Sequence, residues 1–88
     1  MNTEFKSSFT KDLRPIKNKA LLNRLKRVIE LVEQADSLEA IPQLKKLGVG
    51  SSYYRIRLGE YRAGLVIEAD KVTFVRFLHR KEVYRYFP

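Results

Sequence analysis

Cysteine is absent from these 88 residues, which removes disulfides, thiolate zinc sites and thiol nucleophiles in one step. No phosphate-binding loop, GxGxxG fingerprint, metal-ligand spacing, internal repeat or low-complexity tract occurs either. Nucleotide hydrolysis and metal catalysis are therefore without a motif, and neither a cofactor nor a metal is expected. No basic leader followed by an apolar run opens the chain, and no apolar stretch approaches the roughly 20 residues that cross a bilayer. The expectation is a cytoplasmic protein with no membrane partner. Histidine occurs once, so only one side chain has an ordinary titration range near neutrality.

What is present is positive charge. The formal net charge is +8 and the isoelectric point is about 10.0, a balance that serves either solubility or attraction to a polyanion. Its distribution is segmental. Residues 1–27 carry +6, residues 28–44 carry −4 and residues 45–88 carry +6. A 44% hydrophobic fraction supports a modest core and excludes general disorder, and the length allows one domain over residues 1–88.

Periodicity predicts the elements. Asn2 to Lys6 reads as a short strand. From Ser8 onward Phe9, Leu13 and Ile16 recur at helical spacing, and Pro15 limits that first helix. Lys17 to Asp36 carries Leu21, Leu25, Val28, Ile29, Val32 and Ala35 on one stripe and predicts the main helix. Residues 37–52, loosened by Gly48 and Gly50, read as a connector. Tyr53 to Leu58 then alternates, with Tyr54, Ile56 and Leu58 on one face and Tyr53, Arg55 and Arg57 on the other. Gly59-Glu60 suits a two-residue type II′ hairpin, Tyr61 to Glu68 is the next strand, and Ala69-Asp70 turns into a last strand over Lys71 to His79. The fold class is α+β, a β-α-α-β-β-β order with an N-terminal strand and a helical hairpin packed on one face of a small antiparallel sheet.

The parity places Arg55 and Arg57 on one surface, with Arg62 just across the turn. Such a face is either simply solvated or an anion site, and neighbouring like charges favour the anion. Arg76 and Arg80 extend the positive region. His79 shares parity with Val75 and Phe77, although strand ends often bulge. Tyr84 serves either to stack on a base or to pack a C-terminal turn. On RNA, such a set suits attack by a 2′-hydroxyl on the adjacent phosphate, with cations stabilising the doubly charged phosphorane. Arginine is a poor acid or base. Proton transfer then falls to His79, Tyr84, a carboxylate such as Glu60 or Glu82, or the RNA and its surroundings.

The run Tyr54-Arg55-Ile56-Arg57-Leu58-Gly59-Glu60-Tyr61-Arg62, with Val75-Arg76-Phe77-Leu78-His79-Arg80-Lys81-Glu82-Val83-Tyr84-Arg85, resembles the signature of RelE/ParE-superfamily toxins of type II toxin-antitoxin systems. Phe9, Lys11-Asp12-Leu13 and the helical hairpin extend the likeness over nearly the whole chain. The resemblance, closest to the RelE branch, implies the RelE-like fold and a ribosome-dependent endoribonuclease that cuts messenger RNA through 2′-hydroxyl attack. The implied partners are a cognate antitoxin and the ribosome with its bound mRNA, with DNA reached only through the antitoxin complex. Carried over, the implied catalytic set is Arg55, Arg57, Arg62, Arg80 and Tyr84. Some members have lysine at the positions of Arg55 and Arg57. That departure shifts weight for proton transfer onto His79, a role histidine plays elsewhere in the superfamily. The other function the resemblance allows is a ParE-like inhibitor of DNA gyrase that cuts nothing.

Overall fold

The structure, a computed structural model, describes residues 1–88. Its elements run β1 (Asn2–Phe5), α1 (Ser7–Leu13), α2 (Lys19–Gln34), β2 (Leu44–Lys46), β3 (Tyr53–Leu58), β4 (Tyr61–Glu68), β5 (Lys71–His79) and α3 (Arg80–Tyr86), with a single 3-10 turn at Leu38–Ala40. α1 stops just before Pro15, whose missing N–H and ring oppose continuation. α2 starts where the Asn18 side chain accepts a hydrogen bond from the Leu21 amide at 3.1 Å. No helix is long and apolar enough to cross a membrane.

All five strands form one sheet in the order β1-β5-β4-β3-β2. The two predicted hairpins hold: Leu58 faces Tyr61 across Gly59-Glu60, and Glu68 faces Lys71 across Ala69-Asp70. Gly59 has φ +58° and Glu60 is not in the left-handed region, as a type II′ turn requires.

Three expectations need correction. The sheet is mixed rather than antiparallel, because β1 pairs with β5 in parallel, Asn2 opposite Lys71 through Phe5 opposite Phe74. Strands at opposite ends of a chain meet through a crossover, which leaves no turn signal to read. The connector 37–52 contains β2, which adds an edge by pairing Leu44 with Ile56 and Lys45 with Arg55. Finally, the expected order lacks a third helix, α3, on the face opposite the helical hairpin. α1 and α2 cover one side, and α3 packs on the other through a small cluster of Leu78, Val83 and Phe87.

The main core fills the space between the sheet and the helical hairpin, where Phe9, Leu25, Val32, Ile56, Leu65 and Phe74 are all buried. Burying each such side chain contributes on the order of 1.5–3 kcal/mol. A register shift between Gly64 and Leu65 bulges the β4–β5 ladder opposite Val75, so that Phe74 and Phe77, three apart, both face this core. α1 is fastened to that irregularity: the Ser8 hydroxyl donates to the Val75 carbonyl at 2.6 Å, and Asp12 accepts from the Phe77 amide at 2.9 Å.

Candidate functional site

A cleft of about 350 Å³ opens on the sheet face opposite α1 and α2, lined by Gln43, Leu44, Lys45, Arg55, Arg57, Arg62 and Tyr84. Strand register builds it. Arg57 stands directly opposite Arg62 in the β3–β4 ladder, and Lys45 directly opposite Arg55 in the β2–β3 ladder. Cross-strand partners project from the same side about 5 Å apart, so four cations share one surface. No carboxylate lines it. Like charges held this close repel, and an anion bound between them removes that cost.

Two of these cations are held by contacts of different kinds. Arg62 is tied to the hairpin, its Nη1 donating to the carbonyls of Gly59 at 2.8 Å and Tyr61 at 2.9 Å. Its remaining N–H donors are left for a ligand. The Arg55 guanidinium lies 4.7 Å from the centre of the Tyr84 ring, a cation–π contact. Hydrogen bonding to Arg55 and the positive charge of that side chain lower the pKa of the exposed Tyr84 phenol, with Arg62 and Lys45 adding smaller effects. The aromatic ring therefore borders the cations with a hydroxyl that ionises more readily than usual.

Tyr84 is carried there by α3. The helix is anchored by buried Val83 and by Phe87, whose ring lies over Gly64 and meets Tyr53 edge-on at 5.7 Å. Gly64 is the cross-strand partner of Arg55. One glycine in β4 thus seats the residue three places after Tyr84 beside the strand position that Tyr84 covers.

The other residues singled out from the sequence are not in this cleft. Arg80 is exposed at the hairpin end, where its Nε meets a Glu60 carboxylate oxygen at 2.7 Å and its amide donates to the Glu60 carbonyl at 2.7 Å. His79 retains the parity of Phe77 and lies on the α1/α2 side, bordering a separate pocket with Asn18, Arg24 and Tyr61. Its Nδ1 accepts from the Lys81 amide at 3.1 Å, capping α3, and its ring meets Tyr61 edge-on at 5.5 Å. Arg76 does not extend the basic surface: Asp12 binds it through Nε at 2.8 Å and Nη2 at 3.1 Å. That pairing raises its pKa still further and neutralises its charge within the fold. Lys45 was missed in the sequence because β2 is only three residues long. The one available signal is Leu44 beside Lys45, an apolar-polar alternation too short to establish a strand.

A five-stranded sheet with a helical hairpin on one face and a short helix beside a basic cleft on the other is the RelE-like toxin fold. The family model described as the ParE toxin of type II toxin-antitoxin systems, parDE, matches residues 3–84. Toxin RelE3 of Methanocaldococcus jannaschii is 38% identical over 89 aligned positions, covering 100% of both chains. Among solved structures, the RelB-RelE antitoxin-toxin complex from Methanococcus jannaschii aligns with a TM-score of 0.80 at 38% identity, over 97% of this chain and 99% of that one. The archaeal RelE-RelB complex from Pyrococcus horikoshii aligns at 0.70 with 22% identity over 90% and 93%, a likeness of fold alone. The chain belongs to the RelE/ParE superfamily of type II toxin-antitoxin toxins.

Proposed function

We propose that this toxin is a ribosome-dependent endoribonuclease that stops translation by cutting messenger RNA. The observation that carries the reading is the cleft in which Lys45, Arg55, Arg57 and Arg62 converge without a carboxylate, bordered by Tyr84. A scissile phosphate seated there gains charge as the 2′-hydroxyl attacks, and arginines fixed by strand register and by the hairpin carbonyls stabilise that charge without reorganising. Tyr84 is placed either to exchange a proton or to stack on a base. Arg80 takes part only after exchanging its Glu60 partner for a phosphate oxygen. His79 belongs to the seating of α3 in this reading. The mechanism uses the RNA's own hydroxyl as nucleophile and leaves a 2′,3′-cyclic phosphate and a 5′-hydroxyl.

A cognate antitoxin restrains the activity, as supported by the antitoxin partner named in the structure of the 38%-identical relative. Its chemistry should include acidic side chains matched to the cleft. A gyrase inhibitor on the same fold has no need of a carboxylate-free cleft of this kind.

Induction of the protein in cells, followed by mapping of messenger RNA 5′ ends, tests the reading. Cuts within translated codons that disappear for Arg57→Ala and Arg62→Ala are expected. Intact messages accompanied by gyrase-dependent DNA damage would overturn it. Binding to ribosome-bound message should also weaken steeply with salt, as multiple phosphate contacts require.

A further inference from the structure

We propose that Lys45 is the proton donor of the cleft, delivering its ammonium proton to the departing 5′-oxygen of the cut RNA. The inference rests on the ribonuclease reading and adds a residue and a role to it. β2 is an edge strand of three residues, and its pairing with β3 sets Lys45 directly opposite Arg55, on the cleft side. The cleft contains three arginines, one lysine and one tyrosine, but neither histidine nor carboxylate. Arginine hardly releases a proton in proteins, whereas lysine does so readily. Phosphoryl cleavage by a 2′-hydroxyl needs one group to take a proton and another to give one. Lys45 and Tyr84 are the two cleft residues able to exchange one, and a lysine at neutral pH starts with its proton in place.

The step balances. The 2′-oxygen loses its proton to the Tyr84 phenolate oxygen, and the new O2′–P bond forms. The P–O5′ bond breaks, and O5′ takes the proton from Lys45. The products are the 2′,3′-cyclic phosphate, a 5′-hydroxyl, neutral Lys45 and the Tyr84 phenol. Proton return from Tyr84 to Lys45 through water restores the starting state. The arginines stay charged throughout and hold the phosphorane oxygens.

The test uses ribosomes carrying a short message cut by the full-length toxin, with the scissile 5′-oxygen either natural or replaced by sulfur. A sulfur leaving group departs without being protonated. With the oxygen substrate, Lys45→Met, Lys45→Gln and Lys45→Arg should each slow cleavage by on the order of 100-fold or more, the typical contribution of a general acid. With the sulfur substrate all three should cut within about threefold of the wild type, Lys45→Met and Lys45→Gln keeping only the residual loss that a change of charge leaves at a solvated site. Lys45 is exposed on an edge strand, and unchanged melting of the three variants confirms that folding is intact. A Lys45→Arg protein as fast as wild type on oxygen, or equal losses on both substrates, would mean that Lys45 supplies charge only and overturns the assignment. Loss of cleavage in Arg57→Ala or Arg62→Ala with full activity in Lys45→Met would overturn this inference and leave the ribonuclease reading standing. A wild-type toxin inert on both substrates would sink both.

Discussion

The ring of Phe87 occupies the space above Gly64: a β-carbon at residue 64 would lie 2.7 Å from Phe87 Cγ and 2.8 and 2.9 Å from its Cδ2 and Cδ1. Real carbon atoms do not approach so closely, so any side chain at residue 64 must displace the ring. The missing methyl group therefore seats α3, and α3 carries Tyr84 to the cleft. Gly64→Ala is expected to cost about 1–3 kcal/mol, as over-packing usually does, and to slow RNA cleavage through misplacement of Tyr84. Thermal unfolding with cleavage assays measures both. Phe87→Leu in the Gly64→Ala background, with a smaller side chain over the same spot, should recover part of each.

Asp12 joins α1 to the sheet through three hydrogen bonds, two to the Arg76 guanidinium and one to the Phe77 amide. Both charged side chains are mostly shielded, 14% exposed for Asp12 and 26% for Arg76. Removing the carboxylate leaves a half-buried guanidinium and a buried amide without their acceptor. Asp12→Ala should destabilise the fold by about 2–3 kcal/mol. The double variant Asp12→Ala/Arg76→Met should cost less, because it removes both charges and with them the need to compensate either. Denaturant unfolding of the two variants gives the order. Activity per folded molecule should be unaffected, since neither residue lines the cleft.

These two relationships show where the sequence was legible. Alternation in Tyr53 to Leu58 and the Gly59-Glu60 turn placed Arg55, Arg57 and Arg62 on one surface, because a period of two and a short hairpin leave little freedom in strand pairing. Pairings between distant segments were not legible. Nothing local in Lys45 announces Arg55 as its partner, and nothing in Gly64 announces Phe87. The same limit explains Arg76, counted as free charge until Asp12, sixty-four residues earlier, appears beside it. His79 is the instructive case among the candidates. Its parity with Phe77 held, because the bulge in β5 falls at Val75, before both residues rather than at the strand end. Parity thus carried it away from the arginines.

His79 Nδ1 accepts the Lys81 amide and satisfies one of the otherwise unpaired N–H groups that open α3. A side-chain acceptor at this position is typically worth about 1 kcal/mol. His79→Asn retains an acceptor of similar reach, whereas His79→Ala does not. The alanine variant should melt earlier than the asparagine variant, and amide exchange in α3 should be faster in it. Cleavage by His79→Asn should stay close to wild type between pH 6 and 8. A loss of 100-fold or more in that variant, the size of a general acid–base contribution, would place the imidazole in the chemistry.

Ala69 has φ +52° at the first position of the β4–β5 turn, a backbone region in which a β-carbon crowds the following carbonyl and costs roughly 1–2 kcal/mol. Gly59 fills the same place in the β3–β4 turn without that penalty. Ala69→Gly relieves the crowding and loses part of the gain to the greater freedom of glycine in the unfolded chain. A net stabilisation of about 0.5–1 kcal/mol is expected, read as a higher melting temperature with unchanged activity. Ala69→Val, whose branched side chain tolerates this region least, should shift melting the other way.

Tyr84 gives the pH dependence. Hydrogen bonding to Arg55, and its charge, hold the phenol pKa below the ordinary tyrosine value, so the folded protein releases this proton at lower pH than the unfolded chain. A group shifted downward on folding favours the folded state above its ordinary pKa, near about 10, and that contribution is lost as pH falls through the lowered value. Ring-labelled tyrosine followed by carbon NMR should show Tyr84 titrating below the ordinary tyrosine value in the wild type and moving back up toward it in Arg55→Gln. The same shift should appear in catalysis. If the phenolate accepts the 2′-hydroxyl proton, cleavage rises with pH up to the lowered pKa, and Arg55→Gln moves that rise to higher pH. Tyr84→Phe should lose on the order of 100-fold or more and flatten the rise, since it keeps the ring and removes the oxygen. A Tyr84→Phe protein that cuts at the wild-type rate would leave Tyr84 with stacking as its role.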